Sequence, residues 1–242
     1  MRLSAERVNL GIVRISNVAL SIMAKDRVLD LTFGGAKIFQ GSTKGKISIA
    51  PLPTGYSVVA HGSFENIDLA QATLALMDLR KIEGSTDGKF DFESKGQTPD
   101  AIMKALGGQI GLSISNGTIS GINLGAVLKR IETRPLSAIR DMKGGKTDFD
   151  HIDLLARIND GIATLDAAEM LFPPNTMTIK GKVNIGGRAL ALEGLATGPE
   201  SENGVSPAIL PYTITGTFDD PVVTPDVGRI LRRQGTTPQP SE

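Results

Sequence analysis

GSTDGKFDFESKGQTPDAIMKALGGQIGLSISNGTISG, residues 84–121, is the stretch whose reading decides the fold. It opens as an alternating strand, with Phe90 and Phe92 pointing one way and Lys89, Asp91 and Glu93 the other. Thr98 supplies an N-cap oxygen, and Pro99 sits where a helix has no use for an N–H. Ile102, Ala105 and Leu106 fall at i, i+3 and i+4, so a short helix buries one stripe. Gly107 is placed for the left-handed position after it. Ile110, Leu112 and Ile114 then alternate with Gln109, Ser113 and Ser115 in a second strand. Asn116-Gly117 carries the residues a type I′ hairpin demands, because both central positions need φ > 0. A two-residue loop there sets Ile119 opposite Ile114. The unit is strand, small helix, hairpin, and each strand has one apolar and one polar face.

The same pattern extends both ways. Val8, Leu10 and Ile12, then Val18, Leu20 and Ile22, alternate in two strands broken near Ser16-Asn17. Lys25-Asp26 reads as a turn, Leu29, Leu31 and Phe33 share one face, and Gly34-Gly35 reads as the next turn before a short strand through Ala36 and Ile38. Ile47 and Ile49 precede a hard break at Pro51–Gly55, and Val58 and Ala60 follow it. Residues 67–80 change to the helical period: Leu69, Ala72, Leu76 and Leu79 form a stripe, with Asp68 at its start and Arg80-Lys81 at its end. Residues 124–131 and 135–142 read as two short amphipathic helices. Ile152, Leu154, Ala156 and Ile158 form a strand turned by Asn159-Asp160-Gly161. Met177, Ile179, Gly181 and Val183 pair across Gly186-Gly187 with Leu190 and Leu192, setting Val183 opposite Leu190 on one face. Tyr212, Ile214, Gly216 and Phe218 make a last strand before a turn at Asp219-Asp220-Pro221. A short basic helix near 228–233 and a disordered Pro/Thr/Gln tail close the chain. The expected fold is mainly β with a few short helices, an extended, curved antiparallel sheet of consecutive hairpins forming a groove. Residues 1–226 make up this β-rich domain, with a candidate junction of two sub-units near 64–84, and 227–242 the helix and tail.

Composition narrows the function. The 242 residues carry 26 Lys+Arg against 26 Asp+Glu, so the net charge is zero and no nucleic-acid footprint is expected. Cysteine is absent, which excludes disulfides, thiolate metal sites and a cysteine nucleophile. No apolar run reaches the roughly 18 residues of a spanning helix. No charged n-region followed by an apolar h-region opens the chain, so a membrane anchor or signal in any parent protein is expected to lie outside it.

Catalytic patterns are missing too. His61 and His151 read as strand-face histidines far apart in sequence. Strict alternation puts Asp148 and Asp150 on one face and His151 and Asp153 on the other, which splits the acidic group and argues against one metal site. Gly145-Lys146-Thr147 ends like a phosphate-binding loop, but Arg140 stands where its first glycine belongs. No GxSxG elbow exists. The expectation is a protein that is not an enzyme and holds no cofactor or metal. The apolar strand faces remain, and two readings of them stay open: a sealed core, or a curved sheet left partly open as a groove for acyl chains. The candidate lipid-contacting residues are Phe90, Phe92, Ile110, Leu112, Ile114, Ile179, Val183, Leu190, Leu192, Ile214 and Phe218.

Five pieces, in this order, resemble the C-terminal region of the AsmA family of bacterial envelope proteins. They are GGAKIFQGSTKGKISI from Gly34, GKFDFESKGQTPDAIMKALGGQIGLSISNGTISGINLGAVL from Gly88, KTDFDHIDLLARINDGIATLDAAEM from Lys146, MTIKGKVNIGGRALALEG from Met177 and LPYTITGTFDDPVVTPD from Leu210. The resemblance implies an extended antiparallel sheet curled into a groove, a periplasmic location, and a part in outer-membrane assembly and phospholipid movement between the two membranes. Its implied partner is phospholipid or another acyl-chain lipid, and it brings no catalytic residues. Family members start with an inner-membrane anchor and a long N-terminal region. Neither is present here, so the chain reads as a C-terminal fragment or a reduced member, too short to bridge two membranes alone. The alternative function is a structural or assembly module that binds envelope proteins through sheet edges.

Overall fold

Apolar residues at every second position build strands, and tight turns send each one back beside its predecessor. The computed structural model describes residues 2–10, 13–131, 134, 143–199, 207–218, 220–226 and 228–230. Five strands come first: β1 (Arg2–Leu10), β2 (Val13–Lys25), β3 (Val28–Ile38), β4 (Gly41–Leu52) and β5 (Gly55–Asp68). Helix α1 (Leu69–Met77) leads to β6 (Ile82–Gly96), α2 (Pro99–Lys104) to β7 (Gly107–Ile122), and α3 (Leu124–Arg130) towards β8 (Lys143–Asn159). Then follow β9 (Ile162–Phe172), β10 (Asn175–Asn184), β11 (Ala189–Thr197), β12 (Ile209–Thr217) and β13 (Pro221–Pro225). All thirteen strands form one sheet whose spatial order is the chain order. Every neighbouring pair is antiparallel. The sheet is open, with β1 and β13 at its edges. It runs unbroken across residues 64–84, where β5 and β6 pair on either side of α1.

Three two-residue turns are left-handed at both central positions: Asp26-Arg27 (φ 50° and 66°), Phe39-Gln40 (45° and 65°) and Asp160-Gly161 (48° and 69°). Of these only Asp160-Gly161 consists of residues that adopt it readily. Three expected breaks are not turns. Asn116 is left-handed at φ 51°, yet β7 runs straight through Asn116-Gly117, and Ile114 pairs with Thr86 and Ile152 rather than Ile119. The pair forms a bulge opposite Gly84, two residues facing one. Gly34-Gly35 is likewise a bulge inside β3, the turn falling at Phe39-Gln40, and β2 continues through Asn17 at φ 54°. A bulge and a hairpin make the same demand on φ, so local chemistry does not separate them. Val183 does face Leu190, as expected, within a register that closes on Asn184 and Ala189.

Each helix is capped by the residue before it. Asp68 Oδ1 accepts from the Gln71 N–H (3.0 Å), Thr98 Oγ1 from Ala101 (3.2 Å) and Asn123 Oδ1 from Ala126 (3.0 Å). Gly107 is not the left-handed residue after α2; it opens β7, and the positive φ, 123°, belongs to Gly108. The expected helix at 135–142 lies outside the described residues, as does the tail from 231; Gly228–Ile230 is helical.

Burial is uneven along the sheet. Leu124, Val127, Leu128 and Ile131 of and after α3 are buried with Ile114, Phe149, Met170, Met177, Ala196, Leu210, Tyr212 and Ile230. Helix α3 touches both β8 and β11, so the C-terminal half of the sheet wraps around it. A smaller cluster holds Ala156, Ile158 and Ala163 at the opposite strand ends, beside Leu106 from the end of α2.

Candidate functional site

Cross-strand register brings one side chain from each strand into line, and two such lines are apolar throughout. The first runs Ile22, Leu31, Ile47, Ala60, Phe92, Gly108, Ile158, Ala163, Val183, Leu190, Gly216, Pro221, from β2 to β13. The second runs Leu20, Phe33, Gly45, Gly62, Phe90, Ile110, Ala156, Leu165, Gly181, Leu192, Ile214, Val223 over the same strands. A period of two applied to twelve strands yields a continuous oily face.

Five aromatic rings on this face share one arrangement. Phe33 pairs with Gly45, Phe90 with Gly62, Phe64 with Gly88, Phe149 with Gly117 and Tyr212 with Gly194. In each pair the ring of one strand lies over the glycine of the next, in space a Cβ would need: a Cβ on Gly45 would meet Phe33 at 3.1 Å and one on Gly62 would meet Phe90 at 2.8 Å. The rings therefore lie along the sheet rather than stand up from it. Phe90 and Phe92 also stack, centroids 5.2 Å apart.

Ten of the eleven expected lipid-contacting residues stand on this face, in different settings, and Phe218 follows the end of β12. Phe90, Phe92, Ile110 and Leu112 are half-buried and belong to the middle of the sheet. Ile114 is buried, 5% exposed, in the cluster beneath the helices. Ile179 and Ile214 pack on that cluster, and Val183 on the smaller one. Leu190 and Leu192 are half-buried, and the Arg188 guanidinium lies 5.4 Å above the Phe218 ring. The expected set omits the matching residues of β2–β5: Leu20, Ile22, Leu29, Leu31, Phe33, Ile47, Ile49 and Phe64. These too are half-buried and none belongs to a buried cluster; α1 packs on β5 and β6, α2 on β6, and α3 on β8 and β11. Their alternation was the signal that could have found them.

The other face is mixed. Cross-strand ion pairs stud it, Lys46–Asp30 (2.8 Å), Lys146–Asp148 (3.1 Å), Lys180–Glu193 (3.2 Å) and Arg157–Asp166, among exposed apolar side chains such as Val59, Leu155, Leu171 and Leu195. Hydrogen bonds from Lys46 and then Ser48 hold the Asp30 carboxyl below the usual carboxylate range. Thr118 and then Lys146 do the same for Asp148. Burial alone pushes the Tyr212 phenol, which is on the apolar face, well above its ordinary value.

Strict alternation misplaces one acidic group. Thr147 and Phe149 are buried, as an alternating strand demands, but the next residue packed on that cluster is Ile152. The phase slips by one residue there, and His151 joins Asp148 and Asp153 on the mixed face. His151 Nε2 lies 2.8 Å from Asp153 Oδ2, while Ser115 Oγ and Ser113 Oγ lie 3.4 Å from Nδ1 and Nε2. Among the described residues no group of His, Asp and Glu has metal-ligand geometry. A depression of about 1020 Å³ is also on this side, among charges of both signs such as Lys44, Glu65, Lys89, Asp153 and Glu169.

Among the described residues no helix is long and apolar enough to cross a membrane. The family model described as the AsmA family matches residues 1–167. No curated protein and no solved structure matches the chain.

Proposed function

This chain belongs to the AsmA family, which is envelope-associated, and on that premise we propose that it is a non-enzymatic module that handles lipid on the apolar face of its sheet. Its place is the periplasm, and its work phospholipid transport to, and assembly of, the outer membrane. The observation that carries the reading is the pair of unbroken apolar lines from β2 to β13, of which the helices cover only part. An acyl chain laid on such a face gains about 0.8 kcal/mol per buried methylene, whatever its headgroup. That suits bulk phospholipid. The other face interrupts its exposed apolar side chains with ion pairs, which an acyl chain cannot satisfy. Native mass spectrometry of the chain purified from cells, with extraction of bound lipid, tests the proposal, together with transfer between liposomes. Bound phospholipid and measurable transfer are expected; the absence of both refutes it.

A second reading has its own observation. Edge strand β1 is nine residues long and pairs on one side only, whereas β13 is five residues with proline at each end. Proline removes ladder donors and blunts an edge, so β1 is the edge suited to accepting a partner strand. A photo-cross-linker at Glu6 in living cells would trap a protein neighbour on this reading, and recovery of none would dismiss it.

A further inference from the structure

We infer that the last turn of α1 is a docking prong that sets one rim of the sheet against a bilayer surface carrying anionic lipid. Docking does not depend on the lipid reading above, since a protein can sit on a bilayer without drawing a lipid out of it. In an antiparallel sheet in chain order, the connections after odd-numbered strands share one rim, so α1 and α3 stand on one rim and α2 on the other. Leu69, Ala72 and Leu76 lie on one stripe of α1, yet Leu69 and Ala72 are 9% exposed and Leu76 is 63% exposed. The helix therefore leaves the sheet as it advances. Leu74 points to another side of the same turn and is 39% exposed, so the tip is bare on both sides.

The prong is built to be dry. None of its nine residues, LAQATLALM, is charged. Both polar side chains are satisfied within the helix and its cap: the Thr73 hydroxyl donates to the Leu69 carbonyl (2.8 Å) and the Gln71 amide to the Asp68 carboxylate (3.0 Å). At the tip Asp78 is left-handed, φ 54°; its N–H donates to the Leu74 carbonyl (3.2 Å) and the Leu79 N–H to that of Thr73 (3.2 Å). Two carbonyls that would resist leaving water are thereby closed off. A helix apolar all round calls for cover all round, and the sheet supplies it on one side. The neighbouring charge says what supplies the rest. Arg80 and Lys81, both exposed, follow the tip directly, and α3 on the same rim ends in exposed Lys129 and Arg130. Leucines with cations behind them match acyl chains beneath lipid phosphates. A protein interface is anchored by aromatic residues, and none occurs in residues 74–81. On the opposite rim α2 is a solvated helix, with exposed Asp100 and Lys104 paired at 2.8 Å.

The chain has no tryptophan, so a single one reports its own surroundings. The full chain carrying Leu76→Trp, or Met103→Trp on α2 as the control, is mixed with phosphatidylethanolamine–phosphatidylglycerol vesicles, with circular dichroism confirming the fold. Emission from Leu76→Trp should shift to the blue and be quenched by brominated acyl chains, and that from Met103→Trp should do neither. Leu74→Gln with Leu76→Gln should weaken co-sedimentation with the vesicles by about tenfold or more. Arg80→Gln with Lys81→Gln should do the same and reduce its salt dependence. Equal shifts at 76 and 103, no shift at 76, or co-sedimentation unchanged by either double substitution overturns the prong. A blue shift that grows with protein concentration in the absence of vesicles assigns the tip to a second copy of the chain and overturns it too. Bound lipid in the parent without vesicle docking leaves the lipid reading standing and removes the prong alone.

Discussion

Replacing Gly62 by alanine tests the ring-over-glycine arrangement where it forms the floor of the apolar face. A Cβ there would sit 2.6 Å from the Lys44 carbonyl oxygen and 2.8 Å from the Phe90 ring tip, against ordinary contact at 3.4 Å and beyond. The ring must move from 2.8 to 3.4 Å, about 0.6 Å, and the carbonyl from 2.6 to 3.4 Å, about 0.8 Å. Phe90 can swing only by giving up its stack on Phe92, and the carbonyl belongs to the β4 backbone, so the ladder itself must open. Overpacking of this size costs about 1–3 kcal/mol, and for a chain this long each kcal/mol lowers Tm by about 2–4 °C, so a drop of roughly 2–12 °C is expected. Gly111→Ala is the control: a Cβ there meets only the Leu155 side chain at 3.8 Å, and melting should not fall. Phe90→Leu, combined with Gly62→Ala in a double-mutant cycle, should recover part of the loss, because the shorter side chain clears the Cβ. Thermal melting by circular dichroism reads all five proteins, the parent included. If Gly62→Ala melts no lower than the parent, or if the two substitutions add without coupling, the rings do not occupy the glycine sites and the flat floor is wrong.

Thr147→Val keeps the shape but leaves the Leu124 N–H and Ile122 carbonyl without their partner in a buried place. It should cost about 1–3 kcal/mol in a melting experiment, with Thr147→Ser restoring most of it. Ile131→Ala empties a site that is 1% exposed and should cost about 2–5 kcal/mol, whereas Leu76→Ala, 63% exposed, should leave Tm unchanged within error. Asp30 titrates below its unfolded value, so its pairing stabilises the fold above the ordinary carboxylate range and is lost as pH falls through the folded value. Lys46→Gln should therefore raise the Asp30 pKa in an NMR titration and flatten the acid side of the stability profile. Leu31→Glu puts a charge into the first apolar line and should strip co-purifying lipid while circular dichroism remains that of a folded sheet; unchanged lipid content would count against the lipid reading.

The faces were legible in the sequence because burial imposes a period of two and nothing else in this chain imitates it. Leu29–Phe33, Phe90–Phe92 and Ile110–Ile114 could be sorted by inspection, and so could helix starts at Asp68 and Thr98, since capping oxygens are local. The misreadings were of two kinds. Asn116-Gly117 and Gly34-Gly35 announce a left-handed backbone but not whether the strand continues past it; that is settled by the neighbouring strands. The slip between Phe149 and Ile152 breaks alternation without any unusual residue to mark it, and so hid the meeting of His151 with Asp153 and Ser115. Which part of the oily face is covered could not be read at all, because α3 reaches β11 only through folding in three dimensions.

The sheet has the arithmetic of a ladder. Since every strand meets only the one before and the one after, rungs can be added or removed in pairs without disturbing any other pairing, and each added pair presents its grease on the same side. A single extra rung would instead reverse the direction of travel and send the next connecting helix to the opposite rail. Length is thus the cheapest variable in this design, and register the most expensive.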